Sequence, residues 1–271
     1  MSSIKLKSGA GLVLLLATIA VLAPWLAPHD PAAMSLMDRL EPPSWQHWFG
    51  RDENGADILS QLIYGARVSL GVAWTVVSIS ALIGLAIGSW SGYRGGWTDQ
   101  IIMRVVDVFY AFPGFLIALG FVAMLGPSVR NLIFALCFTS WTTFARLVRG
   151  EVLHLKEREH VQAARAVGAG NLRIISCHIW PNLLGLLTVQ ATFAMAATII
   201  AESGLSFLGL GVPPSVPTWG SLLSSGRRVM GEAPQISFAA GLAILILVLA
   251  FNLLGDGLRD VLDPRRVRNK V

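Results

Sequence analysis

The sequence predicts an all-α protein that crosses a lipid membrane six times. Of its 271 residues, 54% are hydrophobic and only 14% are charged, and the mean hydropathy is +0.62. A soluble domain carries about 25% charged residues, so this composition indicates a polytopic membrane protein. Apolar segments of about 20 residues, the length that spans a bilayer, recur along the chain. They lie at residues 9–26, 68–92, 108–125, 131–150, 183–201 and 236–255.

These segments differ in how strongly each predicts a span. Five of them contain no Asp, Glu, Lys or Arg, each of which would cost roughly 2.5–3.5 kcal/mol at the bilayer centre. The fourth is the weakest, because Arg146 and Arg149 lie at its end and must reach the membrane surface. The first exceeds the roughly 7–15 apolar residues of a signal peptide and lacks a clear cleavage motif. We therefore expect it to remain as a span.

Lysines and arginines predict that both termini lie in the cytoplasm. With that orientation, fifteen of the 21 Lys and Arg residues lie on the cytoplasmic side and six on the outside. This agrees with the excess of Lys and Arg that cytoplasmic loops of membrane proteins carry. The net charge of +5 could suggest binding to nucleic acid. Because the basic residues are instead distributed by membrane side, we expect no nucleic-acid partner. The outside group is Arg39, Arg51, Arg67, Arg130, Arg227 and Arg228.

Several small or charged residues near the spans carry local predictions. Gly84, Gly88 and Gly92 follow at four-residue intervals, which lets another helix approach closely. We expect that helix to belong to this chain, with a subunit contact as the alternative. We also expect Glu202 to be a satisfied interfacial acid rather than a substrate ligand. Local ion pairs are expected where Asp99 and Asp107 flank Arg104, and a solvated helix is expected at Asp256, Arg259, Asp260 and Asp263.

The loop at residues 158–184 is a basic, small-residue segment between two spans. Good helix formers predict a short helix at residues 158–167, and Gly168 and Gly170 interrupt it. Asn171 can cap a second helix, which we expect to end near Pro181. In the first helix, i, i+3, i+4, i+7 spacing places Val161, Ala164, Arg165 and Gly168 on one face. Their small members would let a partner's backbone come close.

This loop resembles the "EAA" loop of binding-protein-dependent ABC importer permeases. The pattern Glu-Ala-Ala, three residues and then Gly, with a later Pro, stands here as Gln162, Ala163, Ala164, Gly168 and Pro181. Two departures are visible, since Gln162 replaces Glu and Trp180 replaces a common Leu. The resemblance implies that these five residues couple the chain to an ATPase. The lost charge at Gln162 removes any salt bridge from that position.

The rest of the chain resembles the "C"-type permease of the dipeptide, oligopeptide and nickel subfamily. The segment 47–70 matches at Gly50, Asp52, Gly55, Asp57, Ser60, Gly65, Arg67, Ser69 and Leu70, while Arg51, Ala56 and Gln61 depart from Thr, Arg and Arg. Residues 201–211 with Trp219 and Gly220, and residues 251–265, also match. The outside region 27–64 would lie on the membrane surface with Trp45 and Trp48 at headgroup level, contact a substrate-binding protein, or both.

The resemblance implies the type I ABC importer permease fold in a bacterial inner membrane. Residues 1–66 would form an N-terminal span with a periplasmic segment. Residues 67–271 would form a five-helix core with a cytoplasmic coupling loop at about 151–182. The implied partners are a second permease, two ATP-binding subunits that hold ATP and Mg, a periplasmic or lipoprotein substrate-binding protein, and membrane lipid. The implied cargo is a di- or oligopeptide, with nickel or a metal chelate as the alternative.

Other function classes lack their residues. The sequence holds no Gly-x-x-x-x-Gly-Lys-Ser/Thr loop, so ATP hydrolysis would occur in a separate chain. It holds no His-Glu-x-x-His or Gly-x-Ser-x-Gly motif, and its histidines lie outside the spans, which disfavours an enzyme. Cys137 and Cys177 indicate no disulfide framework and no zinc site. We expect no cofactor or metal in this chain. A self-sufficient carrier remains a remote alternative, because no charged site within the spans is clear.

Overall fold

The computed structural model describes residues 2–213 and 216–262. Within these ranges the regular secondary structure is helical, apart from one isolated antiparallel bridge between Arg51 and Asp57. The all-α prediction is therefore confirmed. The helices are α1 (Ser2–Val21), α2 (Ala23–Leu26), α3 (Ile58–Arg94), α4 (Gly96–Tyr110), α5 (Gly114–Leu125), α6 (Val129–Leu155), α7 (Glu159–Ala166), α8 (Asn171–Ile174), α9 (Trp180–Phe207), α10 (Trp219–Arg228) and α11 (Pro234–Leu262), with a short 3₁₀ turn at Leu36–Asp38 and a π segment at Ile175–Ile179.

Five of the six predicted spans appear as helices that are long and apolar enough to cross a membrane. The third predicted span, residues 108–125, is wrong as a single helix. It is replaced by α4 and α5, which meet at an angle of 79°. The break falls before Pro113, because proline disfavours a helical conformation in the residue that precedes it. With only 12 residues, α5 is about 18 Å long and cannot cross a hydrocarbon core of about 30 Å alone.

The glycine series of α3 packs against α6 of the same chain. A Cβ atom at Gly84 would meet Phe144 and Ala145, and one at Gly88 would meet the Ala145 carbonyl oxygen. At Gly92 it would come within 2.9 Å of the Arg149 carbonyl oxygen. The prediction of packing within the chain is confirmed. Because these three glycines carry no side chains, the backbones of α3 and α6 lie in direct contact along this face.

The largest buried cluster joins α3 and α6 to α1, α9, α10 and α11. Its members are fully or almost fully buried, and α1 packs along α11, where Gly257 faces the backbone of Leu6. The first predicted domain is thus in contact with the last span. The cluster consists of Ala20, Ala66, Ala73, Val77, Phe144, Met195, Ala196, Ile199, Trp219, Leu247 and Phe251.

We call the end of the bundle that carries α7 and α8 cytoplasmic, following the charge-based prediction. At the opposite, extracytoplasmic end, α10 packs against α9 and α11. It begins with a capping box between Thr218 and Ser221, and the Trp219 ring nitrogen donates a 2.9 Å hydrogen bond to the Leu62 carbonyl. The sequence analysis did not predict this helix. The side chains of Trp45 and Trp48 are 97% and 66% exposed, as either of their two predicted roles requires.

The polar residues of the spans are held by defined partners. Glu202 is 1% exposed and accepts hydrogen bonds from Ser206 at 2.9 Å and Ser69 at 3.2 Å, so the prediction of a satisfied acid is confirmed. The expected pairing of Asp99 and Asp107 with Arg104 is wrong. Both carboxylates reach across to α6 instead, where Asp99 binds Arg149 at 2.6 Å and Asp107 binds Arg146 at 2.7 Å. The end of the predicted domain 67–271, including Asp263, lies outside the described residues.

Candidate functional site: the cytoplasmic coupling hairpin

The candidate site is the segment 156–181, which we call the coupling hairpin. Its first helix, α7, begins after Arg158 and ends at a turn in which Gly168 has φ +84°. The Gly168 amide bonds to the Arg165 carbonyl, and the Ala169 amide bonds to the Ala164 carbonyl, both at 3.0 Å. This C-terminal turn needs a residue that tolerates a left-handed backbone. The predicted helix at 158–167 and its glycine stop are confirmed.

The second half of the hairpin differs from the prediction. Asn171 is the first residue of α8 and does not cap it, since Gly170 takes the N-cap position and no side chain bonds there. The helix also does not end near Pro181. It continues through the π segment Ile175–Ile179 into α9. In a regular α-helix the ring of Pro181 would clash with the carbonyl four residues earlier, and the wider π turn relieves this conflict.

One face of the hairpin is buried against the spans. Val161, Ile174 and Ile179 have no exposed surface, and they pack with Val152 of α6 and Leu183 of α9. Ala164 packs against this cluster. The predicted docking face is therefore only partly correct, because Val161 and Ala164 point into the bundle rather than toward a partner.

The opposite face of the hairpin is open to solvent. Ala163, Ala166 and Gly168 are exposed, and the apolar side chains of Val167 and Leu172 are 86% and 74% exposed. An exposed apolar patch among small residues is typical of a protein interaction site. This patch is therefore the candidate docking surface of the hairpin.

Gln162 bonds within its own hairpin. Its amide nitrogen donates to the Lys156 carbonyl at 3.1 Å and to the Glu157 carboxylate at 3.4 Å. Lys156 in turn donates to the Gly92 carbonyl of α3 at 3.0 Å. A glutamate at position 162 would carry no hydrogen to donate to the Lys156 carbonyl and would lie beside a second carboxylate. The departure from the EAA pattern thus fits the local structure.

Three further contacts tie the hairpin to α3. The Trp180 ring nitrogen donates to the Ser89 hydroxyl at 3.0 Å, which gives this second departure from the pattern a partner. The Tyr93 hydroxyl donates to the Asn171 side chain at 3.3 Å, and the Arg165 guanidinium lies 5.6 Å from the Tyr93 ring centre. The sequence analysis missed these residues of α3. In the sequence, the only indication of these contacts is that polar side chains stand at the cytoplasmic end of an otherwise apolar span.

The five predicted site residues therefore do not form one cluster. Gln162, Ala163, Ala164 and Gly168 lie on the first arm and turn of the hairpin, with Ala163 and Gly168 exposed. Pro181 lies on the other arm, in the first turn of α9. The two arms approach each other at His160 and His178, whose ring centroids are 6.4 Å apart.

A cleft of about 470 Å³ opens at the break between α4 and α5. Its walls come from α6 and α9 as well as from the break itself. The lining combines aromatic rings, including Phe109 and Phe193, with uncharged polar groups. These polar groups are Thr139, Ser140, Thr142, Thr143, Gln190 and Thr198.

Comparison with known proteins matches most of the chain to transport permeases. The model of the family "Binding-protein-dependent transport system inner membrane component" matches residues 84–268, and that of the "N-terminal TM domain of oligopeptide transport permease C" matches residues 8–43. A glutathione transport system permease protein, GsiD, of Escherichia coli O6:K15:H31 is 44% identical over 254 residues, which are 93% of this chain and 84% of that protein.

A second relative is named for dipeptide transport rather than for glutathione transport. The dipeptide transport system permease protein DppC of Alkalihalophilus pseudofirmus is 42% identical over 247 residues, covering 91% of this chain and 81% of that protein. These matches confirm the resemblance read from the motifs, and with the apolar helices they indicate a multi-pass protein of a bacterial inner membrane. The chain belongs to the family of binding-protein-dependent transport system inner membrane components.

Proposed function

We propose that this chain is a permease subunit of an ATP-driven importer for small peptides. It would form the translocation path with a second, homologous permease and receive its cargo from an extracytoplasmic binding protein. The named relatives, which transport glutathione or dipeptides, favour a peptide over nickel as cargo. ATP and Mg would bind in two separate ATPase subunits.

The observation that carries the coupling role is the two-sided coupling hairpin. Its buried side shares one apolar cluster with α6 and α9, and Tyr93 and Leu85 of α3 pack against that cluster. Its outer side presents Ala163, Val167 and Leu172 to solvent. Because packed interiors move as units, force applied to the outer side would be transmitted to three helices together. An ATPase bound at this patch would thus tilt the spans rather than bend the loop.

The cleft at the α4–α5 break is our candidate for this chain's share of the peptide path. Hydroxyl and amide side chains such as Thr143 and Gln190 can bond to peptide groups without placing a fixed charge in the membrane. Phe109 and Phe193 supply apolar contact for side chains of varied shape. A lining of this kind suits cargo that shares a backbone and differs in sequence.

Purification of the tagged chain from its native membrane in mild detergent tests the assembly. We expect stoichiometric recovery of a second permease and ATPase subunits, identified by mass spectrometry. A chain that purifies alone, even after crosslinking, would contradict the proposal and favour a self-sufficient carrier.

Uptake by the reconstituted assembly in proteoliposomes tests the cargo. We expect ATP-dependent accumulation of a labelled dipeptide or of glutathione when the cognate binding protein is added. Nickel uptake under the same conditions, without peptide uptake, would overturn the peptide assignment and leave the importer assignment intact.

A further inference from the structure

Two histidines and an aspartate meet at the extracytoplasmic end of α3. The Nδ1 atom of His47 lies 2.9 Å from one carboxylate oxygen of Asp57, and the Nδ1 atom of His29 lies 3.8 Å from the other. The two imidazole rings are 4.4 Å apart between centroids. One ligand atom from each of the three residues falls within 4.8 Å of the others. In the described part of the chain, no other group of three His, Cys, Asp or Glu residues meets this condition.

These distances suit a tetrahedral metal ion. Ligand atoms held about 2.0–2.1 Å from zinc are about 3.3 Å apart in a tetrahedron. The 2.9 Å from His47 Nδ1 to Oδ1 of Asp57 and the 3.8 Å from His29 Nδ1 to Oδ2 fall on either side of that value, and the carboxylate would offer the ion one of these two oxygens. Imidazole nitrogen and carboxylate oxygen are both zinc ligands, and two histidines disfavour calcium and magnesium, which prefer oxygen ligands.

The carboxylate is oriented by its surroundings. Its Oδ2 atom accepts hydrogen bonds from the Ser60 amide at 2.8 Å and the Ser60 hydroxyl at 2.7 Å. That hydroxyl also accepts a 3.1 Å bond from the backbone amide of His29. Partners that fix ligand orientation in this way are typical of metal sites.

The site is closed on one side and open on the other. His47 and Asp57 are buried, whereas the side chain of His29 is 41% exposed. An ion could therefore enter from solvent, and three protein ligands would leave a fourth position for water. On binding at Nδ1, the ion would take the place of the hydrogen between His47 and Asp57, and the imidazole would carry its one N–H proton on Nε2 instead.

We propose that His29, His47 and Asp57 form an extracytoplasmic Zn²⁺ site. The ion would join the segment that follows α2 to the first turn of α3 and so fasten the loop between the first two spans. It is a structural ion rather than transported cargo. This proposal revises the sequence-based expectation that the chain holds no metal, and it does not depend on the transported substrate.

Zinc titration of the purified full-length chain, with the subunits that copurify, tests the proposal. The affinity tag must not contain histidine, and the sample is first stripped with a chelator. Competition with a chromophoric zinc chelator gives stoichiometry and affinity, and thermal unfolding gives the Tm. We expect one high-affinity ion per chain and a higher Tm with Zn²⁺.

His29→Ala is the main variant, because this exposed side chain can be removed without opening the core. We expect its Zn²⁺ affinity to fall at least about tenfold and the zinc-dependent rise in Tm to disappear. His160→Ala, which breaks the other histidine pair on the cytoplasmic side, is the matched control and should bind as the unaltered chain does. Absence of stoichiometric binding at micromolar Zn²⁺, or unchanged affinity in His29→Ala, would overturn the proposal.

Discussion

The α3–α6 contact and the coupling hairpin both depend on glycine, but for different reasons. In the helix contact, Gly84 and Gly88 are needed because a side chain would strike Phe144 or Ala145. In the hairpin, nothing lies within 4 Å of a Cβ atom at Gly168, and the residue is needed for its φ of +84°. The first region stabilises the bundle, and the second shapes the exposed surface that we propose for ATPase docking. Substitutions should therefore separate folding from transport.

The largest effect is expected from Gly88→Val in the helix contact. Three added carbons would force α3 away from α6, and overpacking of a core costs about 1–3 kcal/mol or more. With backbone atoms as the neighbours, we expect the upper end of that range and little folded protein after purification. Size-exclusion profiles measure the amount of folded protein, and the Tm measures the loss of stability. Gly71→Val on the same helix, where nothing lies within 4 Å, should behave as the unaltered chain.

Gly168→Val should block transport while leaving membrane insertion and Tm almost unchanged. A β-branched residue in a left-handed conformation costs about 1–2 kcal/mol, which would displace the turn without unfolding the spans. Peptide uptake in proteoliposomes is the measurement. Gly168→Asn separates conformation from bulk, since asparagine tolerates this conformation. If the asparagine variant also blocks uptake, added bulk at the docking surface is the cause, and normal uptake by the valine variant contradicts the coupling assignment.

Arg149→Ala should have an intermediate effect on stability. The guanidinium forms two hydrogen bonds with Asp99, at 3.0 and 2.6 Å, and so attaches α4 to α6. The pair is partly exposed, so we expect a loss of about 1–2 kcal/mol in the free energy of unfolding. Denaturant titration measures this loss. Arg104→Ala, on the exposed side of α4, is the control, and an equal loss there would refute the specific pairing.

The smallest effect is expected from Gln162→Glu, which restores the usual residue of the EAA pattern. It removes the bond to the Lys156 carbonyl and faces Glu157 with a like charge. A net loss of about 1 kcal/mol would speed amide hydrogen exchange in α7 about fivefold. Added salt should reduce this change, because it screens the carboxylate repulsion. Slower exchange in the variant would show that the amide bonds do not stabilise the hairpin.

The comparison also shows which features could be predicted from the sequence. Runs of apolar residues and glycine spacing act locally, so the bundle, the Gly84–Gly92 contact and the helix before Gly168 were predictable. The break before Pro113 was missed because the apolar run continues through it. Asp99 and Asp107 were expected to pair with Arg104, a neighbour in sequence on α4, whereas their partners are Arg149 and Arg146 on α6.

The motif predicted where the hairpin lies, whereas helical periodicity did not predict which of its sides is buried. The pattern from Gln162 to Gly168 located the hairpin, but helical spacing alone could not tell which side of α7 faces the spans. That choice is made by contacts with residues distant in sequence, such as Val152 and Leu183. The group of His29, His47 and Asp57 was invisible for the same reason, because an irregular loop brings its members together.

The π segment at Ile175–Ile179 has a consequence for how this chain tolerates changes in length. A π turn in an α-helix holds one extra residue. Deleting one residue there would convert the turn to regular α-helix and keep the hairpin and α9 in their present alignment, provided that Pro181 is replaced as well, since its ring would otherwise clash with the carbonyl four residues earlier. The same deletion a few residues later, within α9, would rotate everything before it by about 100°. The segment thus marks a point between hairpin and span where the chain, once Pro181 is replaced, can lose a residue without changing the direction in which the exposed face of the hairpin points.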